Sequence, residues 1–212
     1  MTLYPIFLDL TDCPVLVVGG GRVAARKTGD LLESRACITV VAPECCTELT
    51  SLVDDKSVVL YKRKYQPEDV LGKRLVISAA GCEEINRQVY QDCKKHEILC
   101  NVVDEPQLCD FHVPARVRRG LLQIAVSTGG ASPAMAKRIR KQLEEIFGTE
   151  YKPLMSGLME LREHMKSCGP ADQKDRKRLL EAFLDSEAPE LLLKNGDHAA
   201  FKKKIEEWKS KR

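Results

Sequence analysis

Short apolar runs rich in β-branched residues alternate with amphipathic stretches through the first hundred residues. The apolar runs predict five strands, at residues 15–18, 37–41, 58–61, 75–79 and 98–102. Between them, apolar residues recur at helical spacing and predict helices near residues 23–33, 45–53 and 83–95. Alternating strands and helices form βαβ units, so we expect a parallel, doubly wound sheet with right-handed crossovers.

The pattern changes near Pro114. Two segments, residues 112–118 and 121–127, flank Arg119-Gly120 and predict an antiparallel hairpin with glycine in its turn. The hairpin interrupts the βαβ rhythm, so we expect a new structural segment to begin here.

Helices are predicted for the remainder of the chain. Ser132 and Pro133 have the residue types of an N-cap and a first helical position. The helix that follows has an apolar face made by Ala136, Ile139, Leu143 and Ile146. Helical spacing then continues from Tyr151, with apolar stripes made by Leu154, Leu158, Leu161 and Met165 and by Phe201, Ile205 and Trp208.

The first predicted strand leads directly into a glycine turn and a predicted helix. Gly19, Gly21 and Ala24 match the pattern G-x-G-x-x-G/A. In that pattern the first glycine permits a tight turn, the second lets the backbone approach a pyrophosphate, and the third small residue keeps helix and strand close. The helix start adds N–H donors and a positive dipole. Because the motif follows the first strand of a βα series, it indicates a dinucleotide site rather than a turn without ligand.

The end of the second predicted strand departs from the usual dinucleotide pattern. An Asp or Glu about 20 residues beyond the glycine turn commonly binds the ribose hydroxyls. Here the strand ends in Val41-Ala42-Pro43, and Glu44 follows later than the pattern expects. The motif by itself therefore leaves NAD and NADP open.

A carboxylate follows the fifth predicted strand. In an open α/β sheet, ligands bind beyond the carboxyl ends of the strands. Asp104 stands at that edge, beside the expected nicotinamide, where a carboxylate can transfer protons. An Asp at a strand end is also a common turn or cap residue, and Glu105 and His112 are alternative bases. Asp104 is the candidate catalytic residue.

The formal net charge of +3 is distributed unevenly. Residues 114–141 contain seven Lys or Arg side chains and no acidic one. A local positive field of this kind concentrates anionic ligands. No aromatic residue lies between Phe111 and Phe147, which argues against nucleic acid as the ligand. The segment favours a small substrate rich in carboxylates.

Composition and targeting signals narrow the class of protein. Charged residues make up 31% and hydrophobic residues 43%, ordinary values for a globular protein. No apolar run reaches the ~20 residues that cross a bilayer, and the first residues lack the features of a secretory signal. The nine cysteines include no Cys-x-x-Cys pair, so we expect reduced thiols and no dedicated metal site. We therefore expect a cytoplasmic protein without a membrane partner.

Several ordered motifs resemble the precorrin-2 dehydrogenase family, which includes the N-terminal half of bifunctional siroheme synthases. They are Pro5-Ile6-Phe7, Val17-Val18-Gly19-Gly20-Gly21-x-Val23-Ala24-x-Arg26-Lys27, Cys100-Asn101-Val102-Val103-Asp104, Phe111-x-x-Pro114 and Ile124-Ala125-Val126-Ser127-Thr128-Gly129-Gly130-x-Ser132-Pro133. The similarity covers at least residues 3–147. One departure follows the fourth predicted strand, where many members have Ala-Thr-Asp and this chain has Ala80-Gly81-Cys82.

The resemblance implies NAD-dependent oxidation of precorrin-2 to sirohydrochlorin, on the way to siroheme, by a homodimer built through the central segment. It implies that Asp104 is the acid/base residue. The cofactor contacts expected from it are Gly19, Gly20, Gly21, Arg22, Val23, Pro43, Glu44 and Ala80. For the anionic tetrapyrrole we expect contacts from Arg116, Arg119, Ser127, Thr128, Gly129, Ser132, Arg138 and Lys141.

Two further functions remain as alternatives. Some members of the family also insert ferrous iron, so sirohydrochlorin ferrochelatase activity is one alternative, with Asp104 deprotonating the pyrrole nitrogens. A non-catalytic NAD-binding, redox-sensing module is the other, and the carboxylate of Asp104 argues against it.

The predicted fold class is α/β, in three parts. A Rossmann-type parallel-sheet domain that binds NAD spans residues 1–113. A small α/β dimerisation segment, made of the hairpin and the basic helix, spans residues 114–148. A C-terminal helical domain spans residues 149–212.

Overall fold

The computed structural model describes residues 3–53, 57–170, 172–186 and 189–210. One compact unit comprises Tyr4–Val113, and the second begins at Pro114. The first unit contains five strands, β1 Pro14–Val18, β2 Cys37–Val41, β3 Val58–Tyr61, β4 Leu75–Ser78 and β5 Leu99–Val102. Its helices are α1 Arg22–Leu32, α2 Thr47–Leu52 and α3 Glu83–Lys95, with short 3-10 helices at Pro67–Val70 and Pro106–Leu108.

The five strands form one parallel sheet in the order β3-β2-β1-β4-β5. This confirms the predicted doubly wound sheet, and each predicted strand agrees with the structure to within one residue at either end. The chain adds β2 and β3 on one side of β1 and then β4 and β5 on the other. The winding therefore reverses between β1 and β4, and such a reversal opens a crevice beyond the carboxyl ends of the two strands.

All five strands end at the same level. The register pairs the last residue of each strand with the last residue of its neighbour. We call this set the terminal row, and it consists of Tyr61, Val41, Val18, Ser78 and Val102. The loops that leave the sheet at this edge consequently start side by side, about 4.8 Å apart from strand to strand.

Both faces of the sheet are buried, because successive side chains of a strand point to opposite faces. On β1, Val15 and Val17 pack in the core that contains α1 and α2. Leu16 and Val18 pack in the second core, which contains α3. Burial on both sides explains why the strands are continuous apolar runs rather than alternating ones.

The second unit opens with an antiparallel pair, β6 Ala115–Arg119 and β7 Leu122–Val126. The predicted hairpin is confirmed, although β6 begins at Ala115 and leaves His112 outside the strand. Gly120, in the turn, has a φ of +63°, a conformation that glycine adopts at no steric cost. The helices that follow are α4 Pro133–Ile146, α5 Tyr151–Ser167, α6 Gln173–Asp185, α7 Pro189–Lys194 and α8 His198–Lys209.

The C-terminal helices share one apolar core. Phe183 of α6 is fully buried, and its ring meets Trp208 of α8 edge to face at a centroid distance of 5.6 Å. The predicted apolar stripes of α5 and α8 line this core. The structure groups these helices with the hairpin and α4 in one compact unit, whereas the predicted boundary lies at residue 148.

On α4, Ala136 is buried as predicted, but Ile146 at the end of the helix is 58% exposed. The apolar face of α4 is thus only partly covered within the chain. No helix in the described part of the chain is long and apolar enough to cross a membrane.

Candidate functional site

The glycine turn follows β1 at the terminal row and is tightly enclosed by the backbone. Gly19 has a φ of +125°, and a Cβ placed on it would lie 2.2 Å from the carbonyl oxygen of Ala79. A Cβ on Gly20 would lie 1.8 Å from the carbonyl oxygen of Glu44. Neither backbone can give way, so the loops after β2 and β4 require glycine at both positions.

Gly21 differs from its two neighbours. No heavy atom lies within 4 Å of a Cβ built on it, and its φ of −82° suits any residue. Gly21 is the N-cap of α1, and no side chain caps this helix start. Beside it, Arg22 has a highly exposed side chain and Val23 is partly exposed. Open space next to uncapped N–H groups at a helix start is the geometry that a pyrophosphate requires.

The loop after β2 lies against the glycine turn. The backbone N–H of Cys46 donates to the carbonyl oxygen of Gly20 at 2.8 Å. Pro43 and Glu44 are both exposed in this loop. The structure therefore brings these two predicted cofactor residues to the glycine turn, on the side of β1 away from β4.

The loop after β4 is anchored by a residue that the sequence analysis missed. Asn86, on α3, is 7% exposed, and its Oδ1 accepts a hydrogen bond from Ser78 Oγ at 2.7 Å. The same oxygen accepts from the backbone N–H of Ala80 at 3.4 Å. Asn86 thus fixes the loop that carries Ala80. The available signal was its position in the buried stripe of α3, with Val89 and Cys93.

Asp104 lies two residues beyond the end of β5 and is exposed. Its φ of +64° is in the left-handed region, which costs most non-glycine residues about 1–2 kcal/mol, although Asp and Asn adopt it more readily. Within the described residues, its carboxylate has no hydrogen-bond or ion-pair partner. The carboxylate is therefore available to a ligand at the edge of the sheet.

The backbone around Asp104 is held from the neighbouring strand and from the loop itself. The N–H of Val103 donates to the carbonyl oxygen of Ser78 at 2.9 Å, and the N–H of Glu105 donates to that of Val102 at 3.3 Å. The alternative base His112 is exposed and outside the regular elements. Of the acidic residues that follow the strands of the sheet, Asp104 is the nearest in sequence to a strand end, two residues beyond Val102.

In the second unit, the loop between β7 and α4 is built by its own hydroxyl groups. Thr128 Oγ1 accepts from the N–H of Ser132 and donates to its carbonyl oxygen, both at 3.1 Å. Ser132 Oγ accepts from the N–H of Met135 at 3.1 Å, which confirms it as the N-cap of α4. Ser127 Oγ accepts from the N–H of Gly129 at 3.2 Å. These groups shape the loop, and their contacts to substrate stay a prediction.

Arg119 has a structural function in this unit. Its guanidinium donates to the carbonyl oxygens of Phe147 at 2.8 Å and Glu144 at 3.3 Å, at the C-terminal end of α4. A third hydrogen bond goes to the carbonyl of Arg118. An arginine in this position satisfies carbonyls that the helix leaves unpaired. The contact of Arg119 with substrate, expected from the sequence, stays a prediction.

The other cations of residues 114–141 differ in how far they are exposed and in whether an acidic side chain already pairs with them. Arg140 forms an ion pair with Glu144 within α4, and Arg116 is half-buried on β6. Arg138 and Lys141 are exposed one turn apart on α4, and neither has an ion-pair partner in the described residues. Lys137, beside Arg138, is likewise exposed and without an ion-pair partner among the described residues, so the free positive charge of α4 lies at these three side chains.

All nine cysteines are free thiols, and Cys93 and Cys100 are fully buried. The hydrogen bond between these two thiols and their burial raise the pKa of Cys100. Among the described residues, no group of three or more His, Cys, Asp or Glu side chains could hold a metal ion.

A parallel sheet with a glycine turn at its winding reversal and open space at Gly21 defines the class as a Rossmann-type, NAD(P)-binding protein. A family model described as "Putative NAD(P)-binding" matches residues 6–115. A second model, described as "Sirohaem biosynthesis protein central", matches residues 119–146.

Known proteins resemble the chain over nearly its whole length. The siroheme synthase of Psychrobacter sp. (strain PRwf-1) is 38% identical over 192 residues, 91% of this chain and 39% of that protein. The siroheme synthase of Thioalkalivibrio sulfidiphilus is 37% identical over 200 residues, 94% of this chain and 41% of that protein. The chain thus spans about two-fifths of the length of these curated relatives.

A solved structure titled "SirC, precorrin-2 dehydrogenase" superposes with a TM-score of 0.79 at 30% sequence identity. The match covers 97% of this chain and 100% of that one. The chain belongs to the family formed by precorrin-2 dehydrogenases of this type and the N-terminal region of siroheme synthases. The resemblance inferred from the sequence motifs is confirmed.

The glycine geometry predicts different effects for two neighbouring substitutions. Gly21→Val should leave the fold intact, because its Cβ meets nothing and its φ is ordinary. The new side chain would occupy the space of the pyrophosphate, so we expect the affinity for the dinucleotide to fall at least about tenfold. Calorimetric titration with NAD and a thermal melt measure the two effects.

Gly20→Val is the control, and it should lower the melting temperature, because its Cβ would collide with a backbone carbonyl. A folded Gly21→Val protein that binds the dinucleotide as tightly as the parent would place the cofactor elsewhere.

Proposed function

We propose that this protein is an NAD-dependent precorrin-2 dehydrogenase, which oxidises precorrin-2 to sirohydrochlorin in siroheme biosynthesis. One observation carries the proposal. The open space at Gly21 and the unpaired carboxylate of Asp104 both lie two to three residues beyond the terminal row of the same sheet. A dinucleotide site and a proton acceptor at one edge are the two components that a dehydrogenase needs.

The residues beyond β2 support NAD rather than NADP. Two carboxylates follow this strand, Glu44 and Glu48, and Glu48 Oε1 lies 3.7 Å from Nε of Arg22. A hydrogen bond from its own backbone N–H lowers the pKa of Glu48, so this carboxylate is ionised at neutral pH. Carboxylates bind ribose hydroxyls and repel a 2′-phosphate. We expect Gly19 and Gly20 to shape this site, and Gly21, Arg22, Val23, Pro43, Glu44 and Ala80 to line it.

Asp104 is the proposed proton acceptor. Removal of two hydrogens from a reduced tetrapyrrole releases a hydride and a proton, and a bound nicotinamide would accept the hydride. A carboxylate oxygen of Asp104 takes up the proton, which it can do because no other group occupies it. Ferrochelatase activity remains a second use of the same carboxylate, with ferrous iron as substrate.

Asp104→Asn tests the proposed chemistry. Asparagine retains the shape and tolerates the left-handed φ of this position, but it removes the basic oxygen. General acid–base assistance is typically worth ~10²–10⁴-fold, so we expect kcat to fall at least ~10²-fold with NAD affinity retained. The assay follows absorbance as precorrin-2, NAD and then ferrous iron are added, which also detects metal insertion.

A second test compares two glycine substitutions, one at Asp104 and a control at Glu97. Asp104→Gly and Glu97→Gly both relieve a left-handed φ, so each should retain or raise stability by up to about 1 kcal/mol. Only Asp104→Gly should lose turnover. If it retains activity within a few-fold of the parent, Asp104 is a turn residue and Glu105 or His112 becomes the candidate base.

The exposed cations of α4 support a substrate rich in carboxylates. Charge-assisted hydrogen bonds from Arg138 and Lys141 would hold such a substrate, so replacing both with Ala should raise its KM about tenfold or more. The KM for NAD should change little. Lys202→Ala with Lys203→Ala removes the same charge from an exposed face of α8 and should change neither constant. An equal rise in both KM values for the α4 variant would contradict a substrate site.

A homodimer built through the hairpin is also part of the proposal. In the described residues, β6 and β7 pair only with each other, so each strand of the hairpin has one edge without a strand partner. Leu121 in the turn and Ile146 at the end of α4 are large, exposed apolar side chains. A two-fold copy of the same surface would cover them.

Sedimentation velocity at micromolar concentration tests this assembly. We expect the parent to sediment at about twice its monomer mass and Leu121→Asp to shift it toward monomer, since a buried charge at the interface is costly. Leu71→Asp is the control, because Leu71 is similarly exposed but lies in the first unit. A monomeric parent would overturn this part of the proposal.

A further inference from the structure

The segment after β5 folds back along the strand and is anchored there at several points. At Asp110, the backbone N–H donates to the carbonyl of Cys100 at 2.8 Å, and Oδ2 accepts from the N–H of Cys100 at 3.0 Å. Lys94 pairs with the same carboxylate. Asn101 Nδ2 donates to the carbonyl of Phe111 at 2.8 Å. Residues 103–109 therefore form a loop whose distal end is fixed against β5.

Within this loop the thiol of Cys109 contacts two backbone carbonyls, one from a residue before Asp104 and one from a residue after it. Its Sγ lies 3.2 Å from the carbonyl oxygen of Val102 and 3.3 Å from that of Glu105. Val102 lies two residues before Asp104, and Glu105 lies one residue after it. Both carbonyl oxygens are within hydrogen-bond distance of Sγ, so the two oxygens share the single thiol proton.

The sulfur is itself held in place. Asn101 Nδ2 donates to Sγ of Cys109 at 3.4 Å, which leaves the thiol proton directed toward the carbonyls. Burial raises the pKa of Cys109, so the group is a protonated donor at neutral pH. A thiolate in the same place would face two carbonyl oxygens and repel them.

We propose that Cys109 is a positioning residue for Asp104: its thiol, supported by Asn101, holds the turn in which Asp104 adopts its left-handed conformation. This inference rests on the proposed proton-transfer function of Asp104. The φ of +64° is unfavourable for a non-glycine residue, and the Asp104 side chain makes no bond that stabilises it. The thiol therefore adds to the backbone hydrogen bonds of Val103 and Glu105 in holding the turn.

Three variants test this. Cys109→Ala removes the bridge, and Cys109→Ser retains a hydroxyl donor to the same carbonyls. Cys13→Ala is the matched control, because Cys13 is also half-buried and its thiol contacts the carbonyl of Asp9, before β1. Hydrogen–deuterium exchange at the amide of Glu105 reports the turn, and kcat for precorrin-2 oxidation reports the carboxylate.

We expect exchange at Glu105 to become about tenfold faster and kcat to fall about tenfold in Cys109→Ala, with NAD affinity unchanged. Cys109→Ser should restore most of both, and Cys13→Ala should change neither. In an Asp104→Asn background, Cys109→Ala should cause no further loss of kcat, since the thiol acts through that carboxylate.

Unchanged exchange at Glu105 in Cys109→Ala would overturn the inference, as would faster exchange with full turnover. An additive loss of kcat in the Asp104→Asn background would overturn it too, because the thiol would then act independently of Asp104. A parent protein that does not oxidise precorrin-2 would refute the proposed function, and the exchange measurement would still decide whether Cys109 holds the turn.

Discussion

The common ending of five parallel strands is the constraint on which the proposed site depends. Burial of both sheet faces fixes the register, since a slip of one residue would turn every side chain of a strand to the opposite face. With the register fixed, Val18, Ser78 and Val102 must lie level, and the loops that follow them begin at one line. Residues far apart in sequence therefore reach the same ligand edge without long connections.

The glycine turn is crowded at its first two glycines and open at the third. The loops after β2 and β4 approach the turn so closely that Gly19 and Gly20 contact backbone where a Cβ would be. These contacts fix the direction in which α1 leaves the sheet. Gly21 then stands at the start of α1 with no neighbour on its open side. The space at Gly21 therefore adjoins a helix start whose N–H groups have no side-chain cap.

Periodicity predicted the elements well, because strand and helix patterns follow from burial of one or two faces. The N-cap at Ser132 could also be predicted from the sequence, because it depends on residues that are adjacent in sequence. The functions of Asn86, Cys109 and Arg119 were not predicted. Each of these side chains bonds to backbone groups on another strand, loop or helix, and no local pattern specifies such a partner. For Arg119, the structure adds hydrogen bonds to a helix end, and the predicted contact with substrate stays a prediction.

Position in the sheet separates Asp104 from the other described non-glycine residues with a left-handed backbone. The described non-glycine residues with positive φ include Arg35 and Glu97, which follow the ends of α1 and α3, where left-handed residues commonly terminate helices. Asp12 lies in the turn before β1, and its N–H donates to the carbonyl of Arg35. These three positions belong to the edge of the sheet where strands begin. Asp104 stands beyond the other edge, so its strained turn exposes a carboxylate where the strands end. A turn residue needs only the backbone conformation, which glycine would supply more cheaply, and the carboxylate is therefore the part of Asp104 that calls for a chemical explanation.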